Sequence, residues 1–117
     1  YRLTPRYDIL SAHTELGHGR GKLAPEKIRM AMAAQGKNRQ YRWKEIQARH
    51  WVETGKRCGF SGMKLVLEDL IARTPRVLDQ VRGALPAGFP EDIANAILEG
   101  TQCSAQQLTK ELASVAN

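Results

Sequence analysis

The sequence predicts a mainly helical fold with one small β-hairpin. Apolar residues recur at helical spacing over most of residues 44–115. Residues 27–43 alternate on both sides of a turn signal at Gly36-Lys37-Asn38. Hydrophobic residues make up 42% of the 117 residues, and no apolar run reaches the length of a membrane span. We therefore expect a single domain with an N-terminal segment over 1–24, a hairpin over 25–43 and a helical bundle over 44–117.

The chain starts with a segment that ends near Ala12 and holds one conspicuous carboxylate. Pro5 favours an extended conformation for the residue before it. Asp8 precedes Ile9-Leu10, where its oxygens are suited to cap a short helix. The same carboxylate is a hard oxygen ligand of the type that Mg²⁺ prefers. From the residues alone, Asp8 is either a helix cap or a metal ligand.

Residues 13–24 follow with three glycines in five positions, Gly17 to Gly21. This density of glycine favours an irregular loop over a helix or strand. The loop either touches a nucleotide or protein substrate, or it is a plain surface connection.

The predicted hairpin rests on alternation. Ile28, Met30 and Met32 share one side of the first strand, and residues 40–43 alternate again after the turn. Three cations surround two aromatic rings here, a composition typical of surfaces that bind single-stranded nucleic acid. The residues are Lys37, Arg39, Arg42, Tyr41 and Trp43. The alternative is a hairpin whose aromatic rings pack inward.

Three helices are expected after the hairpin. The first runs from about Lys44 to Cys58 and stops at Gly59. Ser61 is placed to cap the second, whose apolar stripe includes Val66 and Leu70.

Thr74-Pro75 should break and restart this second helix. The third helix starts at Phe89-Pro90-Glu91-Asp92, where acids favour a helix N-terminus. Gly100 lies inside it and predicts a kink or a close contact with another helix, because glycine is costly in a helix interior.

Charge is unevenly distributed. The net charge is +6, and Arg20–Arg57 contains eleven Lys/Arg against three acids. Such a block indicates a surface that faces a polyanion, or simply a solvated basic face. The residues that we expect to contact nucleic-acid phosphates are Arg42, Arg49, Lys56 and Arg57.

Several other site types are not indicated. Cys58 and Cys103 are far apart and are expected to be reduced thiols of a cytoplasmic protein. The three histidines are not spaced from these cysteines as the ligands of a zinc site are. We expect no association with a membrane.

A set of separated motifs resembles a known family. The motifs occur in order and are Leu3-Thr4-Pro5-x-Tyr7-Asp8-Ile9-Leu10-Ser11-Ala12, Lys27-Ile28-Arg29-Met30-Ala31-Met32, Gly36-Lys37, Arg49-His50-Trp51 and Leu85-Pro86-x-x-Phe89-Pro90-Glu91. They are similar to landmarks of HipA-type serine/threonine kinases, the toxins of bacterial toxin–antitoxin pairs. The resemblance implies the C-terminal helical lobe of a kinase-like fold.

The resemblance also implies a site. Tyr7 would lie against ATP and Asp8 would hold Mg²⁺. The family's catalytic base and nucleotide-anchoring residues match nothing in this chain and would lie upstream of Tyr1, so the isolated chain is expected to be inactive. The implied partners are that upstream kinase part, a HipB-like antitoxin with its operator DNA, and a substrate from translation, for which the family target is glutamyl-tRNA synthetase.

Overall fold

A computed structural model describes Pro5 and residues 9–115, and these residues form a hairpin followed by three helices. Strands β1 and β2 comprise Arg29–Ala34 and Gln40–Arg42; helices α1, α2 and α3 comprise Ala48–Arg57, Met63–Ala84 and Glu91–Leu112. Short 3₁₀ turns occupy His13–Glu15, Pro25–Lys27 and Trp43–Glu45. The predicted class, mainly helical with a small hairpin, is confirmed.

The two strands are antiparallel, with Arg29 opposite Arg42 and Ala34 opposite Gln40. The register shifts between these two pairs, so one strand carries extra residues. This irregularity makes the predicted alternation wrong beyond its first half: Met32 is 80% exposed, whereas Ala34 is buried. The extra residues interrupt the alternation locally, so Ala31 and Met32 are exposed in succession.

Helix α1 begins later than predicted. Residues Trp43–Glu45 form a 3₁₀ turn, and Gln47 is extended with φ of −121° and ψ of 165°, so the helix starts at Ala48 and not at Lys44. It ends at Arg57, and Gly59 follows in the left-handed region with φ of 76°, as expected of a helix stop.

Helix α2 is continuous through Pro75, so the predicted break at Thr74-Pro75 is wrong. Proline removes one backbone donor from the helix. The Thr74 hydroxyl, in the residue before Pro75, donates to the carbonyl of Leu70 at 2.7 Å. The predicted cap is also wrong, since the residue before the helix is Gly62 and no side chain caps it there.

The core lies where the three helices meet. Its buried members are Ala48, Val52, Leu67 and Leu112, and the half-buried residues around them include Trp51, Met63, Ile71 and Leu108. Val66 and Leu70, which were expected in the buried stripe of α2, are 41% and 54% exposed. Among the described helices, none combines the length and apolar character needed to span a bilayer.

Candidate functional sites: the segment after Asp8 and a basic groove

The predicted nucleotide and metal residues, Tyr7 and Asp8, lie outside the described residues. The chain that follows them is described. Ile9 and Leu10 are 74% and 90% exposed and are not helical, so the short helix expected there is wrong. The first turn begins instead at His13, whose backbone N–H donates to the Ser11 hydroxyl at 3.3 Å.

His13 fastens this segment to the helical core. Its imidazole lies against the backbone of Gly100 in the middle of α3, in the space that a Cβ atom would occupy. The ring also lies 6.2 Å from the ring of Trp43, measured between centroids. Gly100 thus makes a close contact, but its partner is the imidazole of His13 from the N-terminal segment, whereas a contact with another helix was expected.

The glycine-rich loop is closed by backbone bonds at its base. The Gly17 N–H donates to the Leu23 carbonyl at 3.0 Å, and the Leu23 N–H donates to the Glu15 carbonyl at 2.8 Å. The Lys22 ammonium group donates to the Thr14 carbonyl at 2.7 Å. Gly21 adopts φ of 80°, a conformation that favours glycine. These bonds make the loop a compact surface turn that follows the His13 contact.

The four basic residues predicted to bind nucleic acid have different surroundings. Arg42 forms an exposed ion pair with Glu45 at 3.2 Å. Arg57 pairs with Glu53 at 2.8 Å and donates to the Gly36 carbonyl at 2.9 Å. Arg49 and Lys56 line a shallow depression together with Glu111. Arg49 thus borders Lys56 on one side and Arg57 on the other, whereas Arg42 lines neither depression.

A groove of about 670 Å³ separates the hairpin turn from α1. Its lining includes three cations, Lys37, Arg49 and Arg57, and one carboxylate, Glu53. Because Glu53 is already paired with Arg57, the remaining charge of the groove is positive. Side-chain amides of Asn38 and Gln40 and the ring of His50 complete it. This combination of cations and amide donors suits a phosphate group.

A hydrogen bond from Gln35 and a close contact at Gly36 hold the hairpin turn against α1 and so define the groove. The Gln35 N–H donates to the Thr54 hydroxyl at 2.7 Å, and that hydroxyl donates to the His50 carbonyl at 2.6 Å. A Cβ atom on Gly36 would lie 2.7 Å from the His50 ring, so glycine permits the close approach of the turn. Gly36 was predicted as part of a turn, but its contact with His50 carries no signal in the sequence.

His50 is buried and takes part in the start of α1. The backbone N–H of Gln47 donates to its Nδ1 at 2.9 Å. Burial of the imidazole, followed by the charge of Arg49, lowers the pKa of His50 below its ordinary value of 6.5, while Glu111 acts in the opposite direction. Because Nδ1 accepts the Gln47 N–H, the proton of the neutral ring is assigned to Nε2. Arg49 Nε lies 3.4 Å from Nε2, which places its positive charge beside the ring.

Glu111 joins α3 to α1, a role that the sequence did not reveal. One carboxylate oxygen accepts the N–H of Ala48, the first residue of α1, at 2.9 Å. The other accepts from the Gln107 side chain at 2.8 Å. A carboxylate at a helix N-terminus satisfies an unpaired backbone donor and interacts favourably with the helix dipole. The only sequence signal would have been an acid near the end of the third helix.

Metal-binding chemistry is not evident in the described part of the chain. No group of three His, Cys, Asp or Glu residues among Pro5 and residues 9–115 is arranged to hold a metal ion. Cys58 and Cys103 are free and exposed. A scan of the chain against models of known protein families found no match.

Proposed function

We propose that this chain is the C-terminal part of an ATP- and Mg²⁺-dependent serine/threonine protein kinase of the HipA type. The motifs from Leu3 to Glu91 that resemble this family support the proposal. One structural observation supports it further: the chain that follows Asp8 is anchored to α3 at His13, through the contact between His13 and Gly100. A metal-binding carboxylate needs a fixed backbone, and this contact lies five residues after Asp8.

In this proposal, each residue has a specific role. Asp8 holds Mg²⁺ and Tyr7 lies against the nucleotide, while Mg²⁺ supplies compensation for charge on the phosphates. The catalytic base belongs to the upstream part of the kinase, so the isolated chain has no activity. The substrate is a protein of translation, with glutamyl-tRNA synthetase as the family target, and a HipB-like antitoxin restrains the kinase in the cytoplasm.

The test uses the longer contiguous protein and compares Asp8→Ala with wild type for Mg²⁺·ATP-dependent phosphorylation. Asp79→Ala is the matched control, because Asp79 is an exposed carboxylate on α2. We expect Asp8→Ala to abolish phosphorylation while the circular dichroism spectrum and the activity of the control remain at wild-type levels. Retained phosphorylation in Asp8→Ala would reject the assignment of Asp8 to the metal.

A second candidate function has its own supporting observation. The groove lined by Lys37, Arg49 and Arg57 carries excess positive charge and amide donors. We infer that it contacts the phosphate backbone of nucleic acid, including operator DNA when the kinase is assembled with its antitoxin. Contacts of this type position a protein on DNA without reading its sequence.

Neutralising Lys37 and Arg49 tests this second function. Arg57 is a poor probe, because its guanidinium group also holds the Gly36 carbonyl. In the Lys37→Gln/Arg49→Gln variant, affinity for duplex DNA should fall and its dependence on the logarithm of salt concentration should weaken by about one unit per lost phosphate contact. Lys110→Gln, on the exposed surface of α3, should leave both unchanged. Equal losses in both variants would point to nonspecific attraction and reject the groove.

A further inference from the structure

Helix α2 carries an apolar stripe that no described element covers. The exposed fractions are 41% for Val66, 54% for Leu70, 45% for Val77 and 44% for Val81. At about 100° of rotation per residue, the four side chains project within an arc of about 60°. The helix has 22 residues, and the stripe follows most of its length. Isolated exposed apolar residues are common, but an aligned series of four indicates an interaction surface.

The spacing of this α2 stripe is symmetrical. Val66 and Leu70 are four residues apart, Val77 and Val81 are four residues apart, and the midpoint of the series lies between Arg73 and Thr74. The pattern therefore reads alike from either end of the helix. When two copies are placed antiparallel about a two-fold axis at this midpoint, Val66 meets the partner's Val81 and Leu70 meets the partner's Val77.

Charged residues beside the stripe favour this antiparallel arrangement. Asp69 and Arg76 are both exposed, and they lie on the same flank of the α2 stripe. In the antiparallel pair each Asp69 lies near the partner's Arg76. The two-fold axis generates two such pairs of opposite charges. In a parallel pair the two-fold axis runs along the helices, so this flank of one helix faces the opposite flank of the other, and Asp69 does not meet the partner's Arg76.

Arg73 lies close to the two-fold axis, where two positive charges would meet. Its charge is already compensated, because Arg73 Nε donates to Asp69 Oδ1 at 2.7 Å within the same helix. Thr74, the residue opposite Arg73 across the axis, uses its hydroxyl to bond the Leu70 carbonyl. Neither residue at the centre therefore brings an uncompensated charge into the contact.

We propose that α2 is a self-association surface through which two copies of this chain form an antiparallel, two-fold symmetric pair. The contact is isologous, which is the commonest arrangement of soluble dimers. A helix of this length spans about 33 Å, and one helix per partner gives an interface at the small end of the usual size range. The pair is therefore reversible and forms only as protein concentration rises.

Sedimentation velocity of the 117-residue chain over a wide concentration range tests the proposal. The wild-type protein should shift from monomer to dimer, and Leu70→Asp and Val77→Asp should each remain monomeric. Both positions are exposed, so circular dichroism should show a retained fold. Met32→Asp is the matched control, because Met32 is 80% exposed and lies on β1, outside the α2 stripe and its charged flank, and it should dimerise like wild type. A wild-type chain that stays monomeric, or a dimer that survives Leu70→Asp and Val77→Asp, would overturn the proposal.

Charge reversal provides a second test that leaves the stripe unchanged. Arg76→Glu should raise the dissociation constant at least tenfold, because it places an acid beside each Asp69 across the contact. Arg76→Gln, which removes the charge without reversing it, should weaken association less than Arg76→Glu. An unchanged dissociation constant in Arg76→Glu would rule out the antiparallel pairing.

Discussion

The imidazole of His13 occupies the space where residue 100 would carry its Cβ atom, so Gly100 and His13 depend on each other. These residues are far apart in the sequence, and their contact joins the N-terminal segment to the middle of α3. Substitution at Gly100 tests this relationship directly.

Gly100→Ala should destabilise the protein although alanine favours helices. Alanine gains about 1 kcal/mol over glycine in a helix interior, whereas forcing a methyl group into a packed contact costs about 1–3 kcal/mol. We expect a net loss of about 1 kcal/mol in urea unfolding and a change in Trp43 fluorescence, since His13 also lies beside that ring. Gly83→Ala is the control, because a Cβ at Gly83 meets no atom within 4 Å. That variant should gain stability, and a gain in both would contradict the His13 contact.

Glu111→Ala should weaken the junction of α1 and α3. It removes the acceptor of the Ala48 N–H, in a residue that is fully buried, and leaves that donor unpaired. The expected cost is about 1–3 kcal/mol in the free energy of unfolding. Glu99→Ala, an exposed acid on the same helix, should change stability by less than about 0.5 kcal/mol. Equal effects in the two variants would show that the bond to Ala48 contributes little.

Stability should fall as the pH drops below 6.5 because of His50. Above that value the ring is neutral in both the folded and the unfolded chain. Below it, the unfolded chain binds a proton first, since burial and Arg49 lower the pKa in the folded state. Urea unfolding between about pH 7.5 and about pH 5.5 measures the slope. In His50→Asn the free energy of unfolding should depend less on pH than in wild type. In His18→Gln, at an exposed position, the dependence should be that of wild type. An unchanged slope in His50→Asn would assign the pH dependence to other groups.

Pro75→Ala should stabilise α2. The substitution restores a backbone N–H four residues after Ile71 and removes a residue that costs up to about 3 kcal/mol in a helix interior. We expect a higher melting temperature, with helix content unchanged because α2 is already continuous. Pro86→Ala, in the turn after α2, should produce no such gain. A large increase in helix content instead would mean that α2 is interrupted at Pro75 in solution.

Local patterns predicted the elements of this fold better than their connections. The turn at Gly36 and the start of α3 at Glu91 follow from residues within one or two turns of the chain, so the sequence alone was sufficient. The alternation of β1 predicted a strand but not the shifted register that exposes Met32. Pro75 indicated a break, but α2 packs on α3 and is continuous through that residue.

The sites depend on contacts between distant segments, which periodicity cannot reveal. The roles of Glu111 and His50 were missed because each acts on a partner that only the fold brings near. Histidine is also an unusual residue for binding a backbone donor at a helix start. Of the basic residues, Arg49 and Arg57 do share a groove, whereas Arg42 lies apart in its own ion pair with Glu45. The assignments of Tyr7 and Asp8 remain predictions.

The bond between Ala48 and Glu111 has a consequence for synthesis on the ribosome. The two residues are 63 positions apart, and Leu112, the neighbour of Glu111, belongs to the same core as Ala48 and Val52. At about 5–20 residues per second, translation leaves α1 without these partners for roughly 3–13 seconds. During that interval its apolar side is open to chaperones and to other nascent chains, so slower elongation between codons 48 and 112 should increase aggregation.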